Sequence, residues 1–360
     1  MRISLNEADR ARFQRLVATQ RQNAAILDFY SRYLNCCPRA VKANEVRQLT
    51  VECGVDDQTA YLTLFAALCG LDIAGNPDHR HLAERYLRPS IRRLTADRYR
   101  NDPYLNEIQF PNRTRGRWAL RLQRYEPYEA FVRDDLIVKP DFTEIPLLGF
   151  FSETYAYPAV LEAGREWMTV TPNEIETMRG PLADAKGRVC AFGLGLGYFA
   201  LLAAQKPEVS RVTVVERDPD VIALFQDYIL PQFPDPRKVQ LVQADALDFA
   251  GRGLADTDYA FVDLWHDVAD GVPLYCSMKK VEALSPHTRF SYWIERSLLS
   301  NLRFRLLNQM QDALAGVKEE AGFPETADWR LERYEQVEMA LRDESLRRVA
   351  AGIKEQPWAL

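Results

Sequence analysis

The run of residues 189–204 constrains this chain more than any other. Apolar Val189, Cys190, Ala191 and Phe192 lead into Gly193, Gly195 and Gly197, and a helix-like run to Ala204 follows. A strand that turns sharply into a helix needs residues without a Cβ, and the same residues let a bulky ligand lie against the backbone. The segment reads as strand, glycine turn and helix, the opening unit of an α/β sheet. The spacing is G-x-G-x-G, and Tyr198 stands where the dinucleotide fingerprint G-x-G-x-x-G has its third glycine. A plain tight turn carries such glycines too, so the reading leans on the residues downstream.

Residues 212–216, Val-Thr-Val-Val-Glu, are a β-branched run that reads as a second parallel strand. It ends in Glu216, which lies 216 − 197 = 19 residues past the last glycine. A carboxylate there can accept hydrogen bonds from both hydroxyls of a ribose. Asp218 suits the cap of the next helix and Pro219 its first position. Residues 239–243 read as a third strand, followed by Asp245 and Ala246. Residues 259–263 read as a fourth, ending in Asp263. Each acid alone also looks like a helix cap. Together, at the carboxyl ends of successive strands, they mark the edge where open α/β sheets take ligands.

With these residues in view, 187–295 resembles a class I S-adenosylmethionine-dependent methyltransferase domain, and more narrowly its spermidine synthase-like branch. Residues 215–222, Val-Glu-Arg-Asp-Pro-Asp-Val-Ile, are similar to that branch's second-strand motif, and Asp245-Ala246-Leu247 to its adenine-site motif. The glycine spacing is closer to the loop that holds S-adenosylmethionine, which has no phosphate. The resemblance implies a Rossmann-like, doubly wound, mainly parallel sheet with S-adenosylmethionine as cofactor. It also implies that Gly193, Gly195 and Gly197 line the cofactor, that Glu216 holds its ribose, and that Asp245, followed by Ala246, bonds its adenine.

The stretch after the fourth strand departs from the branch. Aminopropyltransferases carry D-x-x-D there, and Asp263 matches the first position. His266 stands at the second, with Asp267 one residue late, and the glycine loop lacks the acidic G-G-G-D-G-G form. Both departures speak for a shared scaffold with a different reaction. Methyl transfer asks for a nucleophile placed in line and, where needed, removal of its proton. Asp263, His266 and Asp267 are the candidate catalytic residues, His266 as a base oriented by Asp267. The bland reading makes His266 and Asp270 solvated loop residues and Asp267 a cap for a helix beginning near Val272. Trp265 and Tyr275 shape a pocket or belong to the core.

Upstream, residues 155–161 and 166–170 flank Ala163-Gly164 and read as a β-hairpin. Thr171-Pro172-Asn173-Glu174 has the pattern of a capping box, so a helix is expected from Pro172. In spermidine synthase-like proteins such a hairpin closes one side of the cleft, which makes Glu153, Tyr155 and Glu162 candidate cleft residues.

At 360 residues the chain exceeds one ordinary core. The expected division is a mostly helical domain over 1–135, a hairpin and capped helix over 136–180, the sheet domain over 181–320 and a C-terminal helix over 321–360. Phe13, Leu16, Val17, Ala24, Leu27, Ser31 and Leu34 fall near a helical period. Asp56-Asp57 caps a helix that stops at Gly70. The six cysteines show no C-x-x-C pair and read as reduced, mostly buried thiols of a cytoplasmic protein. No metal site is expected: His79 and His81 lack a third ligand. No run approaches the length of a membrane span.

Residues 79–124 hold twelve arginines against four acids, with Tyr86, Tyr99, Tyr104, Phe110 and Trp118 interleaved. Guanidinium groups beside aromatic rings suit a nucleic-acid surface. The net charge of −5 for the whole chain points the other way. Arg85, Arg88 and Arg92 also fit one solvated helix face, or partners for acids elsewhere in the chain. The leading expectation is methyl transfer from S-adenosylmethionine to a small molecule, with oligomeric state open. The alternatives are aminopropyl transfer from decarboxylated S-adenosylmethionine, and a nucleoside-binding protein without turnover.

Overall fold

The computed structural model describes residues 6–315, and the expected C-terminal helix over 321–360 lies outside them. The chain is mixed α/β. Its centre is a five-stranded sheet in the spatial order Val239–Gln243, Val209–Glu216, Gly187–Phe192, Tyr259–Val262, Arg289–Tyr292. Every neighbouring pair is parallel. The first strand therefore lies beside both the second and the fourth, and the strand order reverses at that point. A crevice opens there at the carboxyl ends.

The middle strands of the sheet are apolar because they are buried on both faces. All four residues of Tyr259–Val262 are buried, as are Val189 through Phe192. Phe199 of the helix Tyr198–Gln205 stacks on Phe261 with ring centroids 4.3 Å apart, fixing that helix to the sheet. Asp218 and Asp245 both cap as their positions suggest, Asp218 bonding the amides of Asp220 and Val221, and Asp245 those of Leu247 and Asp248.

A four-stranded antiparallel sheet, ordered Arg113–Arg115, Trp118–Tyr125, Tyr155–Glu162, Arg165–Thr169, stands before it. The hairpin is in place, with Ala163 and Gly164 both at positive φ (49° and 86°), as a two-residue primed turn requires. A third sheet joins Ile91–Arg93, Glu144–Phe150 and Phe131–Val138.

The expectation of a mostly helical segment to residue 135 holds as far as Glu107 and is corrected beyond it. Helices Glu7–Cys36, Ala43–Cys53 and Asp57–Leu68 are present, but strands occupy much of 113–138. Trp118 and Leu120 are buried while their neighbours are not, which is the alternation of a half-buried strand. The helical face through Arg85, Arg88 and Arg92 is also absent. The helix stops at Ser90, and Arg92 belongs to a strand.

In the first helix the buried face runs through Phe13, Leu16, Val17, Gln20, Asn23, Ile26, Tyr30 and Tyr33, so Ala24, Leu27, Ser31 and Leu34 do not mark it. Asn23 is fully buried because its side chain donates to Phe142 O (2.7 Å) and accepts from Glu144 N (3.0 Å). Cys36, Cys37 and Cys53 are exposed, and only Cys190 and Cys276 are buried. Among the described residues no helix is long and apolar enough to cross a membrane.

Candidate functional site

The three glycines do different work. Gly193 has φ 98°, and a Cβ on it would stand 2.0 Å from the backbone oxygen of Asp263 on the neighbouring strand. At Gly195 a Cβ would meet Met168 Cε of the hairpin at 2.5 Å. At Gly197 it would meet the Phe225 ring at 2.2 Å, while the residue itself caps the helix Tyr198–Gln205. The loop is braced from behind by buried Tyr104, whose hydroxyl donates to Leu196 O at 2.6 Å.

One cleft gathers most of the candidate residues. Gly193, Gly195, Glu216, Asp245, Ala246 and Asp263 all line it. Gly197 does not; it sets the packing of the loop against Phe225. Glu216 lies across the glycine turn. Its Oε2 accepts from Leu194 N (3.3 Å), and its Oε1 accepts from Arg217 N (2.8 Å) and Asp218 N (2.9 Å). These bonds hold the carboxylate at the mouth of the crevice, where a ribose would approach it.

The opposite wall comes from the antiparallel sheet: Trp118, Val160, Glu162, Trp167 and Met168. Glu162 thus stands in the cleft as expected of the hairpin. Glu153 instead pairs with Arg100, and Tyr155 is core. Arg117 went unnoticed within the basic run. It binds Glu162 at 2.9 Å and Asp218 at 3.1 Å, tying the hairpin sheet to the parallel sheet beside the cleft. Arg117 is exposed while Glu162 and Asp218 are half-buried, so solvent screens the arginine end and Arg117→Ala is expected to cost about 1 kcal/mol of stability in urea titration. A larger loss would make the bridge part of the core.

Asp263 lies at the floor, buried, with Oδ1 unpartnered. Burial pushes its carboxyl from the ordinary 3.8 up to about 7. Beside it lies Glu174, also buried, with Oε2 unpartnered. Its carboxyl is held well above the usual range, first by burial and then by the charge of Asp263. Glu174 was expected to complete a capping box. The helix does start at Pro172, but Thr171 makes no cap bond and Glu174 turns inward. The local pattern loses to a tertiary contact.

The pairing of His266 with Asp267 is corrected. Asp267 caps the helix Val268–Leu284, accepting from Ala269 N (2.6 Å) and Asp270 N (3.3 Å). The His266 ring stacks on Trp167 at 5.5 Å, with Nδ1 3.3 Å from Trp167 O. Neither residue lines the cleft. The motif spacing brought His266 and Asp267 close in sequence, but the helix start takes Asp267 and the hairpin takes His266. Trp265 does line the cleft, with its ring nitrogen unpartnered, whereas Tyr275 bonds Glu295.

The arginine-rich stretch resolves into ion pairs. Arg85, Arg88, Arg93, Arg98, Arg100, Arg115, Arg117 and Arg124 each meet an acid. Tyr86, Tyr99, Tyr104 and Trp118 are buried, so their rings present no face for base stacking.

No protein-family model matches the chain, and no curated protein matches it.

Proposed function

We propose that the cleft binds S-adenosylmethionine in a Rossmann-like, doubly wound domain and passes its methyl group to a small-molecule acceptor. The observation that carries this reading is the placement of Glu216, Asp245 and Asp263 around one cleft, at the ends of three parallel strands, beside a turn where Gly193 and Gly195 leave room for a ligand. The donor set fits the adenosyl group. Glu216 suits the two ribose hydroxyls, Asp245 with Ala246 suits the adenine edge, and the glycine loop suits the uncharged sugar better than a pyrophosphate. The unpartnered ring nitrogen of Trp265 adds a hydrogen-bond donor at the floor. When bound, the sulfonium supplies an activated methyl group. This chain's part is to orient the two reactants, exclude water behind Trp118 and Trp167, and receive a proton at Asp263.

Isothermal calorimetry with S-adenosylhomocysteine tests the reading. Binding is expected in the parent. Glu216→Ala is expected to weaken it by ~1–3 kcal/mol, the range for losing charged hydrogen bonds. Unchanged affinity would remove Glu216 from the ribose site. Tighter binding of decarboxylated S-adenosylmethionine would shift the reading to aminopropyl transfer. Binding without methyl loss to any acceptor would leave a nucleoside-binding protein.

A further inference from the structure

Glu174 does not line the cleft; it is buried within reach of the charge of Asp263, on the first turn of the helix Pro172–Asp184 that follows the hairpin. It and Asp263 are 6% and 9% exposed, and each keeps one oxygen without a partner. Most charged groups on the surrounding elements are engaged elsewhere. On the strand Phe131–Val138, packed against the helix of Glu174, Arg133 donates to Leu148 O and Asp134 and Asp135 meet Arg296. On its own helix, Glu176 pairs with Arg98 and Arg179. On the hairpin, Glu162 binds Arg117 and Glu166 accepts from Tyr157. Beyond the fourth strand, Asp267 and Asp270 accept from backbone amides and His266 stacks on Trp167. At the second strand, Glu216 accepts from backbone amides. Two buried carboxyls with no cation between them among the described residues cannot both ionise readily, so one proton stays with them.

We propose that Glu174 and Asp263 act as a single proton-holding pair that takes up the proton lost by the methyl acceptor, and that the acceptor is a neutral N–H or O–H nucleophile. The proposal rests on the methyl-transfer reading above. The balance is simple. The acceptor heteroatom bonds the methyl carbon, the sulfur keeps the electron pair of the broken bond, and the heteroatom's proton passes to the Asp263 carboxylate. Glu174 stays protonated throughout, so the pair passes from one negative charge to none as Asp263 takes the proton. An acceptor without a dissociable proton, such as a thioether, would leave the pair without a task.

Infrared spectroscopy on the full chain tests the pair without turnover, by following the C=O stretch of a protonated carboxyl against pH. In the parent a carboxyl proton is expected to leave with a midpoint of about 7. In Asp263→Asn the midpoint of the carboxyl that remains at Glu174 should fall, because Glu174 loses the Asp263 charge that helps to raise it. Should that variant fail to fold, Glu174→Gln gives a second reading: the midpoint of about 7 at Asp263 stays, because burial sets it, and the second, higher carboxyl proton disappears. A Glu174 midpoint that does not move in Asp263→Asn, a second carboxyl proton that persists in Glu174→Gln, or no carboxyl proton near neutrality overturns the pair. Calorimetry with S-adenosylhomocysteine on the same samples separates the two readings. Heat with unmoved midpoints sinks the pair alone. Moved midpoints without heat sink the adenosyl reading, and with it the pair's role in methyl transfer.

Discussion

Gly193→Ala is expected to lose about 3 kcal/mol or more of stability and all measurable binding of S-adenosylhomocysteine. Two costs combine at this residue. Its φ of 98° is one that alanine does not adopt without strain, and the added Cβ would lie 2.0 Å from Asp263 O. That oxygen cannot swing away, because it is backbone and Asp263 N is tied to Phe192 O at 2.9 Å. Relief requires the first and fourth strands to separate at their carboxyl ends, which is the floor of the cleft. Gly164→Ala is the matched control. Gly164 also has positive φ (86°), but a Cβ on it meets nothing within 4 Å. It should cost about 1 kcal/mol and leave binding intact. Urea denaturation and calorimetry on both variants check the pair. Equal behaviour would mean that the close approach at Gly193 has no hold on the site.

The middle strands of the parallel sheet were legible because largely buried strands announce themselves as runs like Val212-Thr-Val-Val. The acids at their ends were legible because helix caps and ligand sites share the same position on an α/β sheet. Asp245 and Asp218 in fact cap, and Asp245 and Asp218 also line the cleft. What stayed hidden depends on tertiary contacts. Asn23 breaks the apolar period of the first helix, yet it is buried because the loop at Phe142 and Glu144 needs both ends of an amide. The strand Trp118–Tyr125 was masked by its arginines. Arg121 donates to Arg113 O and the Thr114 hydroxyl and Arg124 pairs with Glu126, so the long charged side chains of the outer face hid the alternation. Glu174 matched a local capping pattern, and nothing local could reveal that Asp263, on a strand far along the chain, would face it. His266 and Asp267 show the converse error: neighbours in sequence are held apart because each has a stronger local or packing partner.

The second large effect is expected at Asp263→Asn, and it has opposite signs for turnover and stability. Removing the proton acceptor should cut methyl transfer by about 10²–10⁴-fold, the usual scale for a general base. Affinity for S-adenosylhomocysteine should stay close to the parent's, since ribose and adenine are held by other residues. Stability follows from the raised carboxyl. Asp263 titrates at about 7 when folded against 3.8 ordinarily, so between those values the unfolded chain has already released a proton that the folded chain keeps. The unfolded state therefore binds fewer protons there, and stability falls as pH rises. The group's favourable contribution is complete below its unfolded value and is lost as pH climbs toward the folded one. Asparagine carries no such charge. The difference in unfolding free energy between parent and variant should thus move in the variant's favour by on the order of 3 kcal/mol from pH 5 to pH 8. Urea titrations of both proteins at these two pH values measure it directly. A constant difference would show that Asp263 is ionised at both pH values in the folded protein, and a carboxylate that is always charged could not serve as the proton acceptor argued for here.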